Sequence, residues 1–162
     1  MYYNGGVEWG KVVNNTKHLY GEFYHTFDEK NRLFIPAKLR KAFKKGEKLV
    51  LSRGLDGCLF LFPQDEWQNL EDKVKSLPIT TRDARAFTRH LFSGASLCIV
   101  DIQGRIPFPL HLKEYAGITK DVVIIGVSSR IEIWAKQTWE KYFKNTEDNV
   151  DDIAAKLEEF RI

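Results

Sequence analysis

The chain is 162 residues long, which is enough for one domain or for two very small ones. Hydrophobic residues make up 43% of it and charged residues 29%, as in most soluble globular proteins. No apolar run approaches the roughly 20 residues of a membrane-spanning helix, and no apolar segment of a signal peptide follows Met1. Length and composition therefore exclude a membrane-spanning protein and predict a cytoplasmic one.

The charged residues are distributed unevenly along the chain. The net charge is +3, which permits a nucleic-acid partner without requiring one. Basic residues crowd into Lys30–Arg53 and acidic residues collect in Glu147–Glu159, which predicts a basic body and an acidic tail. Cys58 and Cys98 stand in apolar segments without a CxxC pattern, so we predict reduced thiols and no metal site.

The first predicted unit spans residues 22–68 and consists of short strands and two helices. Proline suits the first turn of a helix and glycine the position just beyond its end, so Pro36 and Gly46 bound the first helix. The predicted elements are, in chain order, strands Tyr24–Phe27 and Arg32–Ile35, helix Ala37–Phe43, strands Lys48–Arg53 and Leu59–Phe62, and a helix that carries Trp67.

A connecting helical segment, residues 69–94, follows the first unit. Its pattern predicts a helix over Arg82–Phe92. Arg82, Arg85 and Arg89 share one face of that helix, because their spacing follows the helical period. This arginine ridge is either a solvated face or a surface that contacts phosphates or another subunit.

The second predicted unit, residues 95–141, repeats the elements of the first in the same order. Positions of the first turn and helix recur at one constant spacing: Asp28 with Asp101, Arg32 with Arg105, Pro36 with Pro109 and Arg40 with Lys113. The predicted elements are strands Leu97–Val100 and Arg105–Phe108, helix Leu110–Ala116, strands Val122–Val127 and Ile131–Trp134, and a helix that carries Trp139.

The repetition itself predicts how the chain folds. One unit alone has few strands and leaves its edges unpaired, whereas two copies can interleave their strands into a closed barrel that removes those edges. Trp67 and Trp139 are predicted to belong to the core, the alternative being an interface between subunits.

The last predicted segment, residues 142–162, is an acidic helical tail. Its residues Val150, Ile153, Leu157 and Phe160 lie on one stripe of an amphipathic helix. We expect this stripe to dock on the chain's own body or on a neighbouring subunit, the alternative being a foreign protein.

The two tight turns of the repeat share an Asp-x-x-x-Arg pattern. Asn31 and Gly104 occupy the fourth position, and these are the residue types that most easily adopt a positive φ. Asp28 and Asp101 are expected to shape each turn by accepting hydrogen bonds from its backbone N–H groups.

Several segments together resemble the MraZ family of bacterial transcriptional regulators. They are GEFYHTFDEKNRLFIPAKLRKAF, RGLDGCLFLFPQDEW, DARAFTRHLFSGA and DIQGRIPFPLHLKEYAG, and the paired Asp-x-x-x-Arg turns are the family's signature. The resemblance covers Tyr20 to about Tyr142. It implies an α+β, mainly β, tandem-repeat fold: a double-split (swapped-hairpin) β-barrel of the AbrB/SpoVT type with short peripheral helices.

The resemblance also implies a function. It implies a ring-shaped homo-oligomer, associated with the nucleoid, that binds short direct repeats in double-stranded DNA. These repeats would lie upstream of the division and cell-wall gene cluster, usually in the regulator's own operon.

Two features depart from the family's pattern. Residues 1–17 precede the usual family start, so we expect residues 1–19 to be a flexible extension that is either native or the product of a misassigned start codon. Pro107 stands in the returning strand of the second unit, where Phe34 stands in the first, and a proline removes one hydrogen-bond donor from the strand ladder.

Our hypothesis for the site is that both turns face DNA. Arginine held at the base of a strand is well placed to donate two hydrogen bonds to guanine, and nearby cations would contact phosphates. The candidate DNA-binding residues are Lys30, Asn31, Arg32, Lys38, Arg40, Arg53, Gln103, Gly104 and Arg105, with Lys113 as a further candidate. The alternative is that each Asp and Arg only pair with each other and cap a hairpin.

Other classes of function find less support in the sequence. The four histidines lack the spacing of a metal site or catalytic triad, and no nucleotide-binding motif occurs, so we predict no enzyme, cofactor or small-molecule substrate. The remaining alternative is a non-enzymatic oligomeric scaffold or an antitoxin-like module that binds protein.

Overall fold

The computed structural model describes residues 18–161, so residues 1–17 of the expected N-terminal extension, residues 1–19, lie outside them, and its last residue, Leu19, belongs to a strand. The chain is α+β and consists mostly of antiparallel strands. The strands are β1 Leu19–Thr26, β2 Arg32–Phe34, β3 Lys48–Arg53, β4 Leu59–Pro63, β5 Ser96–Ile99, β6 Arg105–Pro107, β7 Asp121–Ser128 and β8 Ile131–Ala135. The helices are α1 Ala37–Arg40, α2 Gln64–Lys75, α3 Arg82–Ser93, α4 Leu110–Tyr115 and α5 Lys136–Lys156, and a short 3-10 helix covers Glu158–Phe160.

The predicted elements all occur, and the largest difference lies in β1. This strand was predicted to begin at Tyr24 but begins at Leu19, which is fully buried and paired with Ser128. Gly21 and Glu22 are residue types that are depleted in strands, so the sequence does not predict a strand at these positions. Pairing with β7 over eight residues supplies the backbone hydrogen-bond partners that extend β1 through them. Helix α1 is shorter than expected and ends at Arg40.

The two units exchange strands, as the repeat predicts. The order in the large sheet is β1-β7-β8-β4-β3-β5, so the first strand of each unit pairs with the third strand of the other. Strands β2 and β6 pair separately as a two-stranded ribbon. The interleaving of the units is therefore confirmed, whereas this pairing gives two sheets and does not show a closed barrel.

The core lies between the ribbon and the large sheet. Leu33 of β2 and Ile106 of β6 are fully buried and belong to the same apolar cluster as Leu49 of β3 and Ile124 of β7. Burial of each such side chain stabilises the fold by about 1.5–3 kcal/mol. Because Leu33 and Ile106 face inward, the alternate residues of the ribbon face outward.

A second apolar cluster lies under the last helices of the units. Trp139 of α5 packs with Trp134 and Val123, and Trp67 of α2 packs against the same cluster. Trp139 also donates a hydrogen bond from Nε1 to Glu22 Oε1 at 2.8 Å, which ties α5 to β1. The prediction of a core position is therefore confirmed for Trp139, whereas Trp67 is only partly buried and packs against the edge of this cluster.

The second half of α5 and the 3-10 helix that follows it do not pack on the rest of the described chain. Val150, Ile153, Leu157 and Phe160 are 50%, 38%, 39% and 66% exposed. A helix of 21 residues is about 32 Å long, so it continues well beyond its anchor at Trp139. The stripe therefore does not dock on the rest of the described chain, and its docking on a neighbouring subunit stays a prediction. None of the described helices is long and apolar enough to cross a membrane.

Candidate nucleic-acid interface

The first turn is held closed by Asp28. Its Oδ1 accepts hydrogen bonds from the backbone N–H groups of Lys30 and Arg32, both at 2.9 Å, and its Oδ2 accepts one from Arg32 Nε at 2.7 Å. Asn31 adopts a φ of +56°, which asparagine tolerates better than most residues. The carboxylate therefore sets both the backbone of the turn and the direction of the arginine.

The second turn has the same geometry. Asp101 Oδ1 accepts hydrogen bonds from the backbone N–H groups of Gln103 and Arg105 at 2.9 Å, and Oδ2 accepts one from Arg105 Nε at 3.1 Å. Gly104 adopts a φ of +85° at the position of Asn31. The shared sequence pattern thus corresponds to one conformation that the chain uses twice.

The ribbon brings the two turns onto one surface. Phe108 N donates to Asn31 O at 3.0 Å, and Ile35 N donates to Gly104 O at 2.8 Å, so each turn is bonded to the strand that follows the other. Arg105 Nη1 also lies 3.8 Å from Asp28 Oδ2 of the first turn. The turns therefore form a single composite site rather than two separate ones.

Both arginines lie on the outer face of the ribbon, opposite its buried residues. Their side chains are 28% exposed for Arg32 and 25% for Arg105. Each uses Nε to bind its own aspartate. No acceptor among residues 18–161 bonds the terminal nitrogens of Arg32, which leaves them available to donate to a ligand.

The remaining candidate cations near the turns differ in exposure. Lys30 and Lys38 are exposed. Arg40 is half-buried: its Nε donates to Ile35 O at 2.7 Å, and its guanidinium lies 4.8 Å from the centre of the Phe34 ring. Lys113 is buried, and its Nζ donates a hydrogen bond to Asn31 of the first turn. The structure thus places two cations in solvent and two against the turns.

Arg53 is not brought to the turns. It ends β3, whose other end, Lys48, pairs with Ile99 just before the second turn. Five residues of strand separate the two ends by about 17 Å. Arg53 Nη1 donates instead to His90 O at 3.1 Å and Ser93 Oγ at 2.8 Å, which fastens β3 to α3.

The three arginines of the ridge on α3 also differ in their contacts. Arg85 Nη1 donates to the carbonyl oxygens of Ile79 and Thr80 at 2.9 Å, so this residue closes the loop before its own helix. Arg82 and Arg89 are exposed. Only the latter two correspond to the solvated face that the spacing predicts.

Sequence reasoning missed one exposed residue of the site. Ile102 is 93% exposed at the second position of the second turn, where Glu29 stands in the first. Its position in the repeat could have predicted this exposure, because an apolar residue at the tip of a turn has no core to pack into. The two turns therefore present different chemistry on a common backbone.

Neither a metal-binding cluster nor an exposed thiol occurs among the described residues. Residues 18–161 contain no group of three or more His, Cys, Asp or Glu side chains that could hold a metal ion. Cys58 and Cys98 are both free and buried, and burial raises the pKa of the Cys98 thiol to about 12. A thiol that stays protonated at neutral pH is a poor nucleophile.

Acid is expected to weaken the first turn. Burial raises the pKa of Asp28, but hydrogen bonds from the backbone and guanidinium of Arg32 and from Lys30 lower it by more, so the pKa lies below its ordinary value. A carboxylate whose pKa is lower in the folded than in the unfolded state stabilises the fold while it is ionised, above about pH 4. This stabilisation is lost as the pH falls through the pKa of the folded state.

The Asp28→Asn variant tests this pH dependence. Urea unfolding between pH 6 and pH 2.5 should show wild type more stable than the variant at pH 6, with the difference shrinking as the pH falls. A difference that stays constant over the range would contradict a role for the ionised carboxylate.

Comparison with known proteins identifies the family. The family model described as "MraZ protein, putative antitoxin-like" matches residues 19–90 and again residues 91–161. A protein of Caldanaerobacter subterraneus subsp. tengcongensis named Transcriptional regulator MraZ is 54% identical over 144 residues, covering 89% of this chain and 99% of its own. Proteins of the same name from Heliobacterium modesticaldum and Pelotomaculum thermopropionicum are 51% identical over 140 residues and 55% identical over 137 residues. They cover 86% and 85% of this chain, and 96% and 93% of their own length. The two matched repeats and the extent of this identity show that the chain belongs to the MraZ family.

Proposed function

We propose that this protein is a sequence-specific DNA-binding transcriptional regulator. The observation that carries the proposal is the composite site: two turns of one geometry, joined across the ribbon, each presenting an aspartate-oriented arginine on the same outer face. The relatives' name, transcriptional regulator, supports the same conclusion.

The ribbon suits the shape of DNA. The major groove admits a two-stranded β-ribbon, and arginine is the commonest reader of guanine through O6 and N7. Arg32 and Arg105 would contact base edges, because their aspartates fix the guanidinium planes. The exposed Lys30 and Lys38 would contact phosphates, which position the protein without reading the sequence.

One chain offers few phosphate contacts, so we propose that several copies act together on short direct DNA repeats. Linked binding sites gain affinity by effective concentration. A ring of copies would need surfaces that bind one another head to tail. Exposed apolar side chains support such surfaces at two places: the stripe on α5, and Leu97 and Ile99 on the edge strand β5, which are 66% and 48% exposed.

The proposal extends to the setting of the protein and to the shape of its fold. The DNA would lie upstream of a division and cell-wall gene cluster that includes the protein's own operon, which implies a cytoplasmic, nucleoid-associated protein. The ribbon and the large sheet would close into a swapped-hairpin barrel, a closure supported by their common core.

A second candidate function is a non-enzymatic scaffold or antitoxin-like module that binds protein. The exposed apolar stripe of α5 favours it, because an amphipathic helix that does not pack on its own chain commonly packs on a partner.

Fluorescence anisotropy distinguishes the two functions. Full-length protein would be titrated onto a duplex from upstream of its own gene and onto a scrambled duplex of equal composition, over a series of salt concentrations. We expect at least tenfold tighter binding to the native duplex at each salt concentration, and light scattering of the free protein should show an oligomer. Equal weak binding to both duplexes with a steep salt dependence would indicate only a basic surface and favour the scaffold.

A further inference from the structure

We propose that Lys113 of the second unit is a positioning residue for the turn of the first unit. It acts by holding Asn31, and it does not contact DNA itself. This inference rests on the proposed DNA-binding function. It assigns a different role to a lysine whose position in the repeat suggests that it contacts a phosphate.

The position of Lys113 excludes a solvent-facing role. It lies on α4 and is only 7% exposed. Its Nζ donates a hydrogen bond to Asn31 Oδ1 at 2.7 Å and lies 4.3 Å from the centre of the Phe27 ring. A buried ammonium group is costly unless it is hydrogen-bonded, and the amide oxygen and the aromatic face are the groups that compensate here.

The bond from Lys113 reaches the residue of the first turn that has a positive φ. Asn31 has a φ of +56°, a conformation that costs free energy for a residue with a side chain. The second unit bonds it twice, through Lys113 at the side chain and through Phe108 N at the backbone carbonyl. Arg32 follows directly, so a change in the position of Asn31 is transmitted to the guanidinium that would read DNA.

The second turn is supported by the corresponding residue of the first unit, but differently. Arg40, which aligns with Lys113, lies against Gly104, where an added Cβ would come within 2.7 Å of the guanidinium carbon. Gly104 has no side chain to bond, and Arg40 Nε donates to Ile35 O instead. Each unit therefore sends a cation to the other unit's turn, and the side-chain tether exists only at the first turn.

Salt dependence separates a positioning residue from a phosphate contact. Each phosphate contact contributes about 0.9 to the slope of log affinity against log salt concentration for duplex DNA. Loss of a phosphate contact therefore lowers both the affinity and the slope. Loss of a positioning residue lowers the affinity and leaves the slope unchanged.

The experiment compares full-length Lys113→Met with Lys30→Met, which removes the same charge from an exposed position beside the same turn. The probe is the duplex from upstream of the protein's own gene. We expect Lys113→Met to lower affinity about tenfold with the wild-type salt slope, and Lys30→Met to lower the slope by about one. A reduced slope for Lys113→Met would overturn the proposal, because it would show a direct phosphate contact.

The Asn31→Gly variant completes the test, since glycine adopts the positive φ without strain but has no amide to bond. In this background Lys113→Met should have little further effect on affinity. A second tenfold loss in the double variant would show that Lys113 acts on the fold in general and would overturn the proposal. If Lys113→Met does not fold, Asn31→Gly alone should show the affinity loss with the unchanged slope, and wild-type affinity would contradict the tether.

Hydrogen exchange separates this proposal from the proposed function. The amides of Lys30 and Arg32 should exchange faster in Lys113→Met than in wild type, while those of Gln103 and Arg105 should not change. If wild type shows no preference for the native duplex, the proposed function fails, and this exchange pattern still decides whether Lys113 holds the turn. Unchanged exchange at Lys30 and Arg32 would overturn the tether whatever the DNA result.

Discussion

Replacing Arg32 by alanine is expected to lower the affinity for the native duplex about 5- to 150-fold, and the affinity for scrambled DNA much less. A bidentate arginine–guanine pair contributes about 1–3 kcal/mol of discrimination, which corresponds to that range. Asp28 holds Arg32 Nε at 2.7 Å, so the terminal nitrogens are presented in a constant direction. Anisotropy titrations with both duplexes at one salt concentration measure the effect.

Two further variants control this result. Arg32→Lys retains the charge but lacks the planar pair of donors, so it should lose most of the sequence preference while the salt slope stays near the wild-type value. Arg82→Ala removes an exposed arginine on α3 and should bind like wild type. Equal losses on native and scrambled DNA for Arg32→Ala would show that this arginine contributes only charge.

Arg105→Ala should cause a smaller loss than Arg32→Ala. Arg105 lies within 4 Å of both Asp101 and Asp28, at 3.1 and 3.8 Å, so more of its donor capacity is used inside the protein. The second turn also presents Ile102 and Gln103 where the first presents Glu29 and Lys30. A loss confined to Arg105→Ala would reverse the order of importance of the two turns.

Replacing Glu132 by alanine is expected to destabilise the protein by about 1–3 kcal/mol, the usual cost of leaving a buried hydrogen-bond donor without its acceptor. Glu132 is 8% exposed and is the charged residue of β8, a strand whose other residues are apolar and buried. Its Oε1 accepts from Arg130 Nη2 at 2.6 Å, and its Oε2 accepts from Trp134 Nε1 at 3.0 Å. The variant leaves a buried indole N–H without its acceptor and Arg130 without its carboxylate.

Urea unfolding monitored by tryptophan fluorescence measures this loss. Glu132→Gln keeps an acceptor for Trp134 and removes only the charge, so it should lose less stability than the alanine variant. Glu114→Ala, at an exposed position on α4, should unfold within about 0.5 kcal/mol of wild type. A loss below about 1 kcal/mol for Glu132→Ala would mean that the strand stabilises itself without this network.

The exchange of strands between units bears on both predictions. Because β1 pairs with β7 and β5 pairs with β3, neither unit has a complete set of strand partners of its own. The composite site is likewise shared, since the first turn is bonded to Phe108 and Lys113 of the second unit. Stability and the geometry of the composite site therefore depend on the same contacts between units.

Local patterns in the sequence predict the repeat, the order of the elements and the geometry of the turns. These depend on local rules: alternation of apolar residues sets the strands, Pro36 and Pro109 start helices, and Asn31 and Gly104 occupy positions of positive φ. Such rules act between residues near one another in the chain, so one sequence is enough to apply them. The candidate arginines followed from the turns for the same reason.

Which residues meet across the units could be known only from the three-dimensional fold. Three contacts join residues far apart in the chain: Lys113 with Asn31, Arg40 with Gly104, and Arg53 with Ser93 of α3. Nothing in the local sequence indicates that these lysine and arginine side chains pack against the protein, because cationic residues are usually exposed. The stripe of α5 has the pattern of a helix that docks, yet its position beyond the sheet leaves it exposed. Periodicity states which face of an element is apolar, and only the packing of the whole chain states what that face covers.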